Sequence, residues 1–207
     1  MIYTQYDLSF KNSVKIILPF FIFLFVFLFT FWSNPSLVPK LSPDSYGYWS
    51  LAENFSMQNE DSSIRPWLYP LFIRLCMKIS PVNWQISISL LQIIFHSFIT
   101  VLLFMLFKKN KLNNLTCFIF ALIIGLNPNL QVYTTYVLAD LILAVLTTLS
   151  WFYILKINDK TEWNYNLIIF SSLFCALCIV TKLVGLLMIV PFLFSIYLVK
   201  GYSSSFL

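Results

Sequence analysis

The sequence predicts an all-α fold, a polytopic membrane helical bundle of about six transmembrane helices with one or two interfacial helices in the first outer loop. Three observations predict it. Hydrophobic residues make up 59% of the chain and charged residues 10%, whereas a soluble domain carries about 25% charged residues. Long apolar runs alternate with short basic clusters. The 22 Phe, 11 Tyr and 6 Trp exceed what one soluble core needs and suit lipid contact and interfacial belts. The net charge of +5 comes from those clusters and forms no basic patch or stripe, which argues against a nucleic-acid partner.

Taken in order, the first run lies near residues 15–33 and follows Lys11 and Lys15, which place the amino end on the cytoplasmic side. It is followed by Asn34-Pro35 rather than a small-residue cleavage site, so it is expected to stay as an anchor. Residues 34–83 form the outer loop. Within it Ser42 is placed to cap a helix with Pro43 in the first turn. Tyr48, Leu51, Ala52 and Phe55 recur at helical spacing as one apolar stripe, the pattern of a short amphipathic helix on the outer leaflet. Asp44 stands on its first turn, where the helix dipole favours a carboxylate. Asn54-Phe55-Ser56 matches a glycosylation tripeptide, a weak signal. Pro66 and Pro70 are expected to delay the next helix to Leu71, and Leu71 to Ile79 reads as interfacial.

A second span is expected near 84–107, closed by Lys108, Lys109 and Lys111. His96 in its middle reads as an interhelical hydrogen-bond donor, with a ligand or proton-relay role as the alternative. Leu112 to Leu155 contains one charge, Asp140, and a break at Asn127-Pro128-Asn129. It divides into spans near 112–128 and 132–155 joined by irregular backbone on the outer side, which is tolerated only against protein or a wet cavity. The last two spans lie near 164–181 and 183–199 and turn at Lys182, giving one membrane domain over 1–207 with both ends inside. Cys175 and Cys178 match a C-x-x-C pattern, but no His, Asp or Glu lies nearby, so they read as packing residues.

This topology brings Asp44, Arg65, Asp140 and Lys182 to one membrane face. Ionisable residues at the edge of an apolar phase are costly and functional by default. The bland alternative is that Asp140 and Lys182 simply pair with each other. Carboxylates beside cations suit the deprotonation of an acceptor hydroxyl or amine and the stabilisation of a departing phosphate. They also suit a transporter or flippase, or a non-catalytic remnant of an enzyme.

Asp44 with Tyr46, Tyr48, Leu51 and Ala52 resembles the helix entry of the GT-C membrane glycosyltransferases, which include the protein O-mannosyltransferases and the aminoarabinose transferases of lipid A. Arg65-Pro66-Trp67-Leu68-Tyr69-Pro70-Leu71 is similar to their basic-Pro-x-x-Tyr-Pro-Leu stretch. Leu126-Asn127-Pro128 through Ala139-Asp140 resembles their Asn-Pro segment ending in an acid, and Thr181-Lys182-Leu183-Val184-Gly185 their Thr-Arg-Pro-x-Gly turn. The resemblance covers nearly the whole chain. It implies inverting transfer of a sugar from a polyprenyl-phosphate donor in the membrane to a lipid, glycan or protein acceptor. Asp44 would be the general base and Asp140 a supporting acid, with Arg65, Tyr69 and Lys182 binding substrate. No cofactor or metal is expected: members often carry an acidic pair at the entry, and here Ser45 follows Asp44. The implied site of action is the outer face of a membrane, with a bacterial inner membrane as the expected location. Members are longer than this chain, so it is expected to be the amino-terminal part of such an enzyme.

Overall fold

A computed structural model describes residues 2–54, 65–158 and 164–204, with side chains described for 17–54, 65–157 and 164–198. Phe55 and Ser56 of the stripe and the tripeptide lie outside the described residues, as do the side chains of Lys11, Lys15 and Lys200 and the loop cation Lys160. The described residues are almost entirely helical. In order they form α1 (Ile2–Ser33), α2 (Pro43–Glu53), α3 (Leu68–Ile79), α4 (Trp84–Lys109), α5 (Asn114–Gly125), α6 (Pro128–Val132), α7 (Asp140–Asn158), α8 (Tyr165–Thr181) and α9 (Ile189–Ser204). A 3₁₀ turn follows α6 at Tyr133–Thr135 and another precedes α9 at Leu183–Met188. No strand is formed among the described residues; a single parallel bridge joins Lys40 to Tyr136.

Two of these helices, Trp84–Lys109 and Asp140–Ile157, are long and apolar enough to cross a membrane. Asn114–Gly125 with Pro128–Thr135 makes a third if the pair, bent by 48° at its break, counts as one span. Ile17–Ser33, Tyr165–Thr181 and Leu183–Leu198 are shorter apolar helices. Trp32 is 86% exposed at the end of α1.

Helix α4 is the pivot. On one side Ile22 and Val26 of α1 meet Phe104 of α4 and Cys117 and Ala121 of α5. On the other, Tyr48, Tyr69, Ile73, Ile88, Ile142 and Cys178 belong to a second core joining α2, α3, α4, α7 and α8. His96 lies buried between the two helices α4 and α5. Its Nε2 donates to the Gly125 carbonyl at 2.8 Å, a group that the end of α5 leaves without a helical donor. The donor role expected for it is the one it plays. The break itself is made as the sequence indicates: Asn127 Oδ1 accepts from Asn129 N at 2.9 Å and Pro128 opens α6.

Three expectations need correction. Helix α3 begins at Leu68, not Leu71, because Pro70 falls in its first turn, where no intrahelical partner is needed for its missing N–H. Helix α7 begins at Asp140 rather than near 132, and Tyr136 to Ala139 run in non-helical backbone before it. The stripe of α2 is covered by protein: Tyr48, Leu51 and Ala52 are buried, and the Tyr48 ring meets Tyr69 of α3 edge-on at 5.0 Å.

Candidate active site

The site starts from the entry to α2. Ser42 is the N-cap: its Oγ accepts from Ser45 N at 3.3 Å, and Ser45 Oγ accepts from Ser42 N at 2.9 Å. This reciprocal capping box, with Pro43 following, winds the first turn locally. It leaves Asp44 on the outside, 66% exposed. Arg65 folds back across the turn. Its Nη1 donates to the Asp44 carbonyl at 2.7 Å and its Nη2 reaches Asp44 Oδ1 at 3.4 Å, while its guanidinium lies 5.2 Å from the centre of the Tyr48 ring. Only a glycine at position 47 allows this path, since a Cβ there would stand 2.4 Å from Arg65 Cζ.

Asp140 approaches from the other side, at the start of α7. The non-helical stretch before it exposes backbone groups that need partners in an apolar setting, and three elements supply them. Lys40 N donates to Thr135 O at 2.6 Å and Lys40 O accepts from Val137 N at 3.3 Å. Ser45 Oγ donates to Val137 O at 2.9 Å. Gln92 of α4, buried, shares the two protons of Nε2 among Tyr136 O at 2.9 Å, Tyr69 Oη at 3.2 Å and Leu138 O at 3.4 Å. Because both carbonyls only accept, the amide orientation is fixed.

Lys182 closes the arrangement. It caps the end of α8 in extended backbone and donates from Nζ to Asp140 Oδ1 at 2.8 Å. Its carbonyl accepts from Gly185 N at 2.8 Å, a tight turn that brings position 185 against the backbone of Cys178, where a Cβ would stand 2.3 Å away. The Asp140–Lys182 pair is partly exposed, 33% and 39% respectively.

Arg65 lies over the Tyr48 ring, and the charges of both ion pairs act on its phenol. Burial raises its phenol pKa; Lys182 and Arg65 pull it down, and Asp140 and Asp44 push it up by lesser amounts. A single side chain thus senses all four charges. The hydrogen bond with Asp140, opposed by partial burial, raises the pKa of Lys182, with weaker help from Tyr48 and Asp44.

The structure therefore brings together Asp44, Arg65, Asp140 and Lys182. Tyr69 is different. It is fully buried, its hydroxyl is engaged by Gln92, and burial holds its pKa well above the usual tyrosine range. It supports the site from beneath. Sequence reasoning missed Ser45, Gly47 and Gln92. The Ser42–Ser45 spacing signalled the first as half of a capping box, and an amide in an uncharged span signalled the last. Among the described residues, no three His, Cys, Asp or Glu side chains gather where they could hold a metal.

A family model described as dolichyl-phosphate-mannose-protein mannosyltransferase matches residues 60–200. The match takes in Arg65, Tyr69, Asp140 and Lys182, while Asp44 lies ahead of it. No curated protein and no solved structure matches the chain. With about two thirds of its length matched, the chain belongs to the dolichyl-phosphate-mannose-protein mannosyltransferase family, a family of GT-C membrane glycosyltransferases.

Proposed function

We propose that this protein contributes the sugar-transfer centre of a membrane mannosyltransferase, acting on a polyprenyl-phosphate mannose and a hydroxyl acceptor on a protein or glycan. One observation carries the reading: two carboxylate–cation pairs, Arg65–Asp44 and Lys182–Asp140, on turns that the Ser45–Val137 hydrogen bond joins. Asp44 is the more exposed carboxylate and acts as general base. It takes the proton of the acceptor hydroxyl as that oxygen bonds to the anomeric carbon. The bond from that carbon to the phosphate oxygen breaks on the opposite side, its electron pair leaves with the polyprenyl phosphate, and the configuration inverts. Arg65 and Lys182 balance the charge that gathers on the leaving phosphate, and Asp140 orients Lys182 for that contact. Enzymes of this family need no metal cofactor.

The six-span topology over 1–207, with a cytoplasmic amino end and the 34–83 loop on the outer face of a bacterial inner membrane, is part of the same reading. It is supported by the placement of the four charged residues at one end of the bundle's connections. A second reading has a specific observation behind it. The 2.8 Å contact between Lys182 and Asp140 also suits a purely structural pair in a non-catalytic protein.

Asp44→Asn separates the two. It keeps the acceptor oxygen for Arg65 and removes the base. Mannosyl transfer from polyprenyl-phosphate mannose should be lost, while membrane insertion and thermal midpoint stay at wild-type values. Transfer at the wild-type rate by this variant overturns the catalytic reading.

A further inference from the structure

We propose that Ser45 and Gln92 are positioning residues that lock the Asp44 turn and the Asp140 turn into one register. The inference rests on the reading of Asp44 and Asp140 as the working carboxylates, and it assigns the distance between them to two side chains that touch neither.

The two acids sit on separate helices, and no direct contact joins them. Asp44 is the second residue of α2; Asp140 opens α7. What connects them is the non-helical run Tyr136 to Ala139. Ser45, the neighbour of Asp44, is buried and uses its hydroxyl three times. Its Oγ accepts from Ser42 N to close the cap, accepts from Ser42 Oγ, and donates to Val137 O, three residues ahead of Asp140. A hydroxyl has one donor and two acceptor positions, so a single oxygen can serve all three. The cap that sets the orientation of Asp44 is thereby tied to the segment that sets the start of α7.

Gln92 holds the same run from below. One amide nitrogen reaches Tyr136 O and Leu138 O, carbonyls that flank the one taken by Ser45, and also Tyr69 Oη. Tyr69 in turn packs edge-on against Tyr48 of α2. Three successive carbonyls of the run are therefore held by Ser45 and Gln92, and both routes lead back to α2. Both side chains are buried beneath the surface, so neither is placed to touch substrate. Removing either leaves a carbonyl of the run short of its donor, a loss that the run relieves by shifting.

The test uses Ser45→Ala and Gln92→Met, the second keeping length and bulk while deleting the donor. Two readouts are taken on the full chain in lipid nanodiscs. The first is the distance distribution between nitroxides on cysteines introduced as Tyr46→Cys and Tyr133→Cys, both at exposed positions. The four native cysteines described are buried and so are shielded from the label. The wild-type background should give one narrow distance, and each variant a broadened or shifted one. The second is mannosyl transfer from polyprenyl-phosphate mannose. The turnover number should fall about tenfold to a hundredfold, as expected for misplacement on the order of 1 Å, with the KM for the donor changed less than about twofold.

An unchanged distance distribution in both variants overturns the proposal. So does a loss of transfer carried by KM, which would make the two residues substrate contacts. If the distances broaden but the wild-type chain itself transfers no sugar, the register holds and the catalytic reading fails. If Gln92→Met does not fold, Ser45→Ala, which removes a single oxygen at a helix start, still decides the matter.

Discussion

Gly47→Ala offers a sharp test of how Arg65 is held. An ideal Cβ at position 47 lies 2.4 Å from Arg65 Cζ, 2.5 Å from Nε and 2.9 Å from Nη1. Carbon atoms settle at about 3.5–4.0 Å, so the guanidinium must retreat by about 1 Å or more. The Nη1 contact to Asp44 O, now 2.7 Å, then passes the limit of about 3.2 Å for such a bond. Stability hardly registers the change. Alanine in a helix gains about 1 kcal/mol over glycine, and the lost bond, on a side chain at the protein surface, costs on the order of 0.5–1 kcal/mol. The thermal midpoint should therefore stay within about 3 °C of wild type. Activity should not. If Arg65 helps to hold the leaving phosphate, kcat/KM for mannosyl transfer should fall about tenfold or more. The decisive assay is the double-mutant cycle with Arg65→Ala, in which Gly47→Ala should cost nothing further. Wild-type transfer by Gly47→Ala, or an additional loss in the Arg65→Ala background, would refute the reasoning.

Two further outcomes are expected. The Asp140 contact raises the Lys182 pKa above its ordinary value of 10.5, so the pair's contribution is complete below that value and is lost as pH rises through the folded-state pKa. The difference in thermal midpoint between wild type and Lys182→Met should be constant at neutral pH and shrink above about pH 10.5; a difference that persists at higher pH would contradict the pairing. Gly185→Ala would place a Cβ 2.3 Å from Cys178 backbone atoms, which cannot yield as a side-chain tip does. It should destabilise the protein by about 1–3 kcal/mol and loosen the Lys182 turn, a loss read as a lower melting point with faster proteolysis between α8 and α9.

How far the site was legible in the sequence depends on the range of the interaction. Local chemistry could be read directly: Ser42 as a cap, Asn127-Pro128 as a break, and Lys182 as the turn between two apolar runs. The Pro66–Pro70 pattern places the start of α3 too late, because a proline's missing N–H matters only beyond the first turn of a helix. The stripe of Tyr48, Leu51 and Ala52 showed that α2 has an apolar face. It could not show what covers that face, since lipid and protein interior are alike in polarity. The Asp140–Lys182 pair stood among the alternatives but needed coordinates to select it. Gln92 was least legible of all, because its three acceptors come from residues 23 to 46 positions away and two of them are backbone.

The contact of Lys40 with the Tyr136 region also sets a schedule for biosynthesis. Asn34 Nδ2 donates to Thr134 Oγ1 across 100 residues of chain, and the Ser45–Val137 bond spans 92. At a synthesis rate of about 5–20 residues per second, the Val137 partner of α2 emerges about 5–20 seconds after Ser45, whereas Arg65 and Tyr69 follow within about 1–5 seconds. During that wait α2 has its capping box, Arg65 and the packing of Tyr48 on Tyr69, but not the tie to the run ahead of Asp140. The Asp44 turn is therefore a late-maturing part of the molecule: the nascent chain carries the acid long before it carries the geometry.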